Sequence, residues 1–368
     1  MRICFVSMTI YPVLHGGTAI EQVGGAEMQQ VQIARLLRRL GHEVCFVTED
    51  HGQPDGEVID GCAVYKAYAP RAGLPGLRFI HPRWTGIWRA LRRARADVYY
   101  LRAAGHVLGM LALLARRQSL RYVYAAASDA DFVPDQELIR LARDRWLFRF
   151  GLRRADAVIV QTIAQQERLR REYGRNGIII PNFLDLAPVT LPETARTEIL
   201  WVGRLASVKR PMLFVELARR LPQLRFTMIG PPASGEAGLY EQVAAAAAGV
   251  GNLRFLGFQP PARVEEHFDR CRTLVSTSET EGFPNVFLQA MRRGIPIVSF
   301  VDPGGMIAGH GLGRVVATEA ELEAAVEASA APGAYAPKPI QDYFVAHFGP
   351  ESVVERYRAL LAGLAGGA

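Results

Sequence analysis

The stretch "TLVSTSETEGFPNVFLQAMRRGIPIVSF", residues 273–300, holds a complete structural unit. The β-branched run TLVSTS leads through an acidic Gly-Phe-Pro-Asn turn into VFLQAMRRG, whose apolar residues recur at helical spacing; Gly294 closes that helix before the apolar run IPIVSF. Strand, loop, helix and strand in this order form a crossover, which makes the two strands parallel. The same grammar precedes it in "EILWVG" (198–203), "RFTMIG" (225–230) and "NLRFLG" (252–257), each followed by a turn-rich loop.

An earlier series repeats the pattern. Strands read at "RICFVSM" (2–8), "HEVCFVT" (42–48), "DVYYLR" (97–102), "RYVYAA" (121–126), "DAVIVQ" (156–161) and "GIIIPN" (177–182). Between the first two, "AEMQQVQIARLLRRLG" sets Met28, Val31, Ile33, Ala34, Leu36, Leu37 and Leu40 on a helical stripe that Gly41 ends. The two series meet at "DLAPVTLPETART" (185–197), where prolines break the periodicity as an interdomain connection would. The expected fold is therefore α/β, two tandem Rossmann-like doubly wound domains facing a cleft. The first takes residues 1–184 plus 347–368, with the C-terminal helix packing back on it, and the second takes 185–346. In such sheets ligands bind beyond the carboxyl ends of the strands.

Composition agrees with this size of core. A chain of 368 residues exceeds one ordinary domain, and 49% hydrophobic with 21% charged residues is a globular balance. Cys4, Cys45, Cys62 and Cys271 have no CxxC or CxxH spacing, so buried free thiols are expected rather than a zinc site or disulfides. No apolar run reaches membrane-spanning length and no signal-peptide pattern appears, so a cytoplasmic chain is expected. The net charge of +7, largely arginine, suits an acidic partner: nucleic acid, anionic lipid or a phosphorylated substrate. No nucleic-acid recognition motif is present.

Three loops carry residues suited to phosphate and sugar chemistry. Gly16-Gly17 and Gly24-Gly25 precede the first long helix, where backbone N–H groups and the helix dipole favour an anion; the alternative is a plain flexible turn. This is not the dinucleotide fingerprint, which leaves Asp50, at the end of the second strand, a weak argument for a dehydrogenase. In "VGRLASVKRP", Arg204 and Lys209 occupy one strand-to-helix loop and Pro211 suits the first helical turn; a guanidinium fork with an ammonium makes a diphosphate clamp, or else a solvated basic loop. In the opening stretch Glu279 and Glu281 precede the helix that carries Gln289, either as ligand contacts or as surface groups.

"VGRLASVK" together with "SETEGFPNVFLQAMRRGIPIVSF" resembles the donor domain of the family-four retaining glycosyltransferases, which have the two-domain GT-B fold. The likeness continues upstream in "GGAEMQQVQIARLLRRLGHEVCFVT" and "ADAVIVQT", so it covers nearly the whole chain. In the family's Glu-x7-Glu motif, Glu281 matches the first acid, and Gln289 stands in place of the second. The resemblance implies that Arg204 and Lys209 neutralise the diphosphate of a nucleotide sugar and that Glu281 meets the transferred sugar. It further implies that the backbone at Phe283, Asn285 and Val286 holds sugar or phosphate, that position 289 meets the ribose, and that Phe258 belongs to the same donor set. Pro284 departs from the small residue usual there and has no N–H to offer. Gln289 keeps an acceptor and adds a donor, so ribose binding changes polarity rather than disappearing.

"AAASDADF" (125–132) lies where many relatives carry an acceptor-side histidine, which makes Asp129 the acceptor-side candidate here. Its Asp-Ala-Asp also mimics the metal-binding motif of single-domain glycosyltransferases, but the two-domain pattern argues against a metal. "RWTGIWRALRRARAD" puts Trp84, Ile87, Trp88 and Leu91 on one helical face amid arginines, either a core face or one that lies on anionic membrane. The implied protein is a metal-independent, cofactor-free hexosyltransferase of cell-surface polysaccharide or glycolipid synthesis. It would use a nucleotide diphosphate sugar and a glycan or lipid-linked acceptor in the cytoplasm or at the inner membrane face. Rivals are an epimerase of the same fold acting on UDP-GlcNAc, for which no acid and base are identifiable, and a non-catalytic two-lobed binding protein, which the Arg204/Lys209 clamp disfavours.

Overall fold

The structure is a computed structural model that describes residues 1–15, 24–118, 120–137, 139–233 and 235–366. The chain divides into two compact units, 1–182 with 353–368, and 183–352.

The first unit is built on eight strands: β1 (Arg2–Val6), β2 (Glu43–Thr48), β3 (Glu57–Ile59), β4 (Cys62–Lys66), β5 (Val98–Arg102), β6 (Arg121–Ala125), β7 (Ala157–Val160) and β8 (Ile178–Ile179). Their order is β3-β4-β2-β1-β5-β6-β7-β8. All neighbours are parallel except the β3–β4 hairpin, which turns at Asp60 and Gly61, both at positive φ (47° and 69°). The central strands are buried on both faces, which is why they read as unbroken apolar runs rather than alternating ones. One core joins Cys4, Val6, Val47, Leu101, Tyr124 and Val160 to helix residues such as Leu108 and Phe148. All four cysteines are free and buried.

The helix Thr85–Ala94 settles one alternative. Ile87 and Leu91 are buried in this core, and Trp84 and Trp88 pack against it. The apolar stripe is thus used internally, and the arginines remain outside it.

The second unit holds β9 (Glu198–Val202), β10 (Arg225–Ile229), β11 (Leu253–Phe255), β12 (Cys271–Ser276), β13 (Ile297–Ser299) and β14 (Gly313–Val315). Their order is β11-β10-β9-β12-β13-β14, parallel throughout. Residues 185–197, expected as a connection, are annexed to this unit. Val189 N–H donates to Arg292 O (3.0 Å), and the buried Arg196 guanidinium donates to the carbonyls of Arg293 (2.7 Å) and Gly294 (3.1 Å). Those carbonyls end the helix Asn285–Arg292, where the dipole is negative, so a cation is favoured there.

The loops after β9 and β10 touch at two glycines. A Cβ on Gly230 would lie 1.6 Å from the Gly203 carbonyl oxygen, so only glycine permits this approach. Gly230→Ala should therefore destabilise the second unit by about 1–3 kcal/mol, as overpacking against backbone does; an unchanged urea midpoint would contradict the close approach.

Glu198 opens β9, buried, with Thr227 (3.0 Å), His267 (3.1 Å) and Arg254 (2.7 Å) on its carboxylate. Burial alone would push its pKa up, but the His267 and Thr227 bonds and the Arg254 charge hold it below the ordinary glutamate value. A depressed carboxylate adds stability above the unfolded pKa and loses it as pH falls through the folded one. Thermal melts between pH 7 and 3 should show an acid decline below about pH 4.3 that is shallower in Glu198→Gln.

Candidate functional site

In the second sheet β9 and β12 are neighbours, yet the chain leaves β9 toward β10 and β12 toward β13. Such a reversal opens a crevice at the carboxyl ends of the two strands. The loops there are 203–210 and 277–284.

The first loop tightens into the turn Ser207–Lys209, passes through Arg210 in the left-handed region (φ 45°), and enters the helix Pro211–Arg220 with proline at its first position. The second begins at Thr277, which is fully buried. Its hydroxyl donates to Lys209 O (2.6 Å) and accepts from Trp201 Nε1 (3.0 Å). Arg210 Nε donates to Thr277 O (2.7 Å), and Glu279 N–H to Val208 O (2.9 Å). Arg210 also lies over the Phe300 ring, 4.1 Å from its centroid. Two loops from different crossovers are thereby joined into one wall.

Lys209 and Glu281 meet on that wall. The Lys209 ammonium pairs with Glu281 Oε1, and the Ser278 hydroxyl donates to the same oxygen (2.6 Å). The Lys209 stem crosses Gly203, where a Cβ would stand 3.3 Å from its Cδ. Arg204 is exposed, and its side chain has no hydrogen bond or ion pair among the described residues. Glu279 is exposed and, among the described residues, is held by its backbone N–H and a 4.0 Å approach of Arg210.

The helix Asn285–Arg292 starts on this wall after Pro284, whose own side chain has no polar group to cap the first turn. Phe283 is buried, 4.9 Å from the Phe348 ring, while Asn285 and Val286 form the half-buried first turn. Gln289 accepts at Oε1 from Arg293 Nη1 (3.3 Å). Arg293 is itself buried and paired with Glu265 (2.6 Å) and Asp269 (2.7 Å). Phe258 is half-buried beyond β11, the edge strand, and so lies two strands out from β9.

In the first unit the corresponding reversal falls between β1 and β5. Gly24 caps the helix Gly25–Arg39, as the glycine pair predicts, but a side chain lies over it. Glu27 Oε2 sits 2.0 Å from where a Gly24 Cβ would be, and Thr9 Oγ1 donates to Glu27 Oε1 (2.6 Å). Gly16 and Gly17 lie outside the described residues. Asp129 accepts from Gln165 Nε2 (2.8 Å), with Arg168 3.8 Å away. Asp131 turns inward to the Tyr124 hydroxyl (2.8 Å) and the N–H groups of Ala127 (2.8 Å) and Ser128 (3.2 Å). Burial pushes its pKa up, partly offset by those bonds. The two acids of Asp-Ala-Asp therefore diverge, and no group of three or more His, Cys, Asp or Glu among the described residues is placed to hold a metal ion.

Residues 24–182 match the model of the glycosyl transferase 4-like domain, and residues 186–330 match that of glycosyl transferases group 1. The chain belongs with the GT-B glycosyltransferases. No protein of curated function matches its sequence. Among solved structures, sucrose-phosphate synthase from Thermosynechococcus elongatus shares the fold at a TM-score of 0.80, with 19% identity and 100% of both chains covered. HepE of Anabaena, solved with UDP and glucose, follows at 0.74, with 17% identity over 98% of this chain and 99% of that one. The pneumococcal O-GlcNAc transferase GtfA, solved with UDP and GlcNAc, gives 0.69, with 13% identity over 100% and 99%.

In this glycosyltransferase the motifs at 204–209 and 281–289 mark the two arms of the wall but not what joins them. Thr277, Trp201 and Arg210 carried no sequence signal of their own, because a threonine at a strand end and a tryptophan within a strand are ordinary core residues. Thr277→Val keeps the shape, orphans the Trp201 N–H and releases the Lys209 carbonyl. The expected cost is about 2 kcal/mol, read as a lower denaturant midpoint; a loss under ~0.5 kcal/mol would show that the seam does not hold the loops.

Proposed function

We propose that the chain is a retaining hexosyltransferase that moves a sugar from a nucleotide diphosphate sugar to a hydroxyl acceptor without a metal. The observation that carries this reading is the joined wall at the β9/β12 reversal, where Lys209 and Glu281 pair beside the unpartnered Arg204. The similar folds of HepE and GtfA were solved with UDP and a hexose-type sugar, which supports a nucleotide sugar donor.

Departure of a nucleoside diphosphate develops negative charge where Lys209, Arg204 and the first turn of Asn285–Arg292 stand, and stabilising it there lowers the barrier. The diphosphate competes with Glu281 for the ammonium and leaves that carboxylate to accept from sugar hydroxyls. The backbone at Phe283, Asn285 and Val286 lines the sugar and phosphate, Gln289 takes the ribose and Phe258 completes the donor set. The acceptor proton passes to the leaving phosphate, the front-face route that the family resemblance implies. Gly24 and Gly25 offer the start of their helix to a phosphate, and Asp129 belongs to the acceptor side. A role in polysaccharide or glycolipid synthesis, in the cytoplasm or at the inner membrane face, fits the basic surface; no helix among the described residues is long and apolar enough to cross a membrane.

The test is a panel of nucleotide sugars with and without membrane extract, following nucleoside diphosphate release and sugar incorporation. One donor should be consumed, and Lys209→Ala or Arg204→Ala should lower kcat/KM about 100-fold while Glu279→Gln leaves it unchanged. A panel in which no donor binds or turns over, or a Lys209→Ala variant as active as wild type, rules the reading out.

A further inference from the structure

The helix Thr85–Ala94 gives its apolar face to the core, which leaves its arginines to be explained. Arg89, Arg92 and Arg93, with Arg95 just beyond the helix and Arg2 at the start of β1, line one cleft of about 700 Å³. No Asp or Glu among the described residues lines it. Arg2 opens β1 and Arg95 leads into β5, so these two stand at the amino ends of their strands, whereas an open parallel sheet receives substrate at the carboxyl ends.

Two of the five arginines are already engaged. Arg93 pairs with Asp55 and stands over the Tyr65 ring, 5.9 Å from its centroid. Arg2 Nε lies 3.4 Å from Glu43, and Nη2 donates to the Tyr65 hydroxyl (2.9 Å). Arg89, Arg92 and Arg95 are exposed, and their side chains have no hydrogen bond or ion pair among the described residues. Asp97, two residues beyond Arg95, accepts the backbone N–H of Arg2 (2.7 Å). Even against Glu43, Asp55 and Asp97 the cleft keeps a positive balance. Its other polar groups are donors too. The Tyr65 hydroxyl, having accepted from Arg2, still has its proton to give, and the Trp88 indole N–H on the same lining has no partner among the described residues; Thr85 is engaged with His81 Nδ1 (2.8 Å).

Helix polarity explains part of this cluster, because Arg92 and Arg93 lie in the last turn, at the negative end of the dipole. It does not explain Arg89, further up the helix, or Arg2, which comes from a strand. Nor does it explain Arg95, which is held at φ 46° in the left-handed region that glycine favours and makes no bond to the helix carbonyls. Like charges three and four residues apart on a helix repel each other, and an anion in the cleft relieves that repulsion.

We infer that this cleft binds a compact anion that carries two or more phosphate groups. A guanidinium grips a phosphate through parallel N–H bonds. Three uncommitted guanidiniums exceed the charge of a single phosphate, about −1.5 to −2, so one phosphate leaves the cleft unsatisfied. The volume is that of a ligand pocket, and low-dielectric walls around charges of one sign concentrate their field on what enters. The site stands on the first unit alone and does not depend on the transferase reading.

Tripolyphosphate and orthophosphate are titrated calorimetrically into the full chain. Tripolyphosphate should bind at least about ten-fold more tightly than orthophosphate, with an affinity that falls as salt rises. Arg89→Gln combined with Arg92→Gln changes exposed side chains only, and should keep Tm while weakening tripolyphosphate at least about ten-fold. Arg219→Gln combined with Arg220→Gln lowers the net charge equally at another helix end and should leave binding unchanged, as should Lys209→Ala. Cardiolipin vesicles then identify the carrier: displacement of tripolyphosphate assigns the phosphates to a lipid headgroup, and its persistence assigns them to a soluble molecule. A wild-type chain that binds no tripolyphosphate, or an equal loss in the Arg219/Arg220 pair or in Lys209→Ala, overturns the proposal. Nucleoside diphosphate binding is read on the same samples: its absence from wild type sinks the transferase reading alone, and its retention in the Arg89/Arg92 variant is expected.

Discussion

A single buried hydroxyl decides whether the second unit has a site or merely two loops. β9 and β12 are adjacent in the sheet, but their chains depart in opposite directions, so the sheet's hydrogen bonds end where the loops begin. Thr277 bridges that gap by donating to Lys209 O and accepting from Trp201. It is effective because it is fully buried: with no water to compete, a hydroxyl holding both a donor and an acceptor fixes two backbones relative to each other. The Gly203–Gly230 approach and the Arg210–Phe300 stack then close the loop from its other sides.

Charge explains the departure at position 289. A glutamate there would add a third carboxylate around Arg293, which already binds Glu265 and Asp269. The amide instead accepts from Arg293 through Oε1 and leaves its nitrogen as a donor. The substitution thus belongs to a network of helix neighbours as much as to a ligand site. Any hydrogen bond that Gln289 offers a ligand is conditioned by Arg293, which caps the end of the same helix.

The alternation of strand and helix was legible because buried parallel strands are short, apolar and unbroken, and the crossover helices carry clear stripes. Three features escaped. The β3–β4 hairpin had its Asp60-Gly61 signal, but its strands are short and half-exposed, so no apolar run announced them. β14, "GRV", offers even less. The proline-rich 185–197 lacks periodicity whether it is free or docked, and only Arg196 on the helix end shows which. For the candidate site, residue type and place drew attention to the loops of Arg204, Lys209 and Glu281, and only the family resemblance separated Glu281 from Glu279. Thr277 was not readable, since what distinguishes it is burial beside a particular pair of partners.

Internal groups stand at the positions expected to meet anions in both sheets. Glu281 neutralises Lys209, and the Glu27 carboxylate lies over the start of the helix Gly25–Arg39. An anion reaching either place would have to displace a carboxylate already held there. Those carboxylates still hold cation and helix end in place while the site is empty, which reduces the ordering that binding must impose. Arg102 differs in kind. It is buried against the neutral Asn182 amide, and the buried Asp131 carboxylate feels its charge without pairing with it.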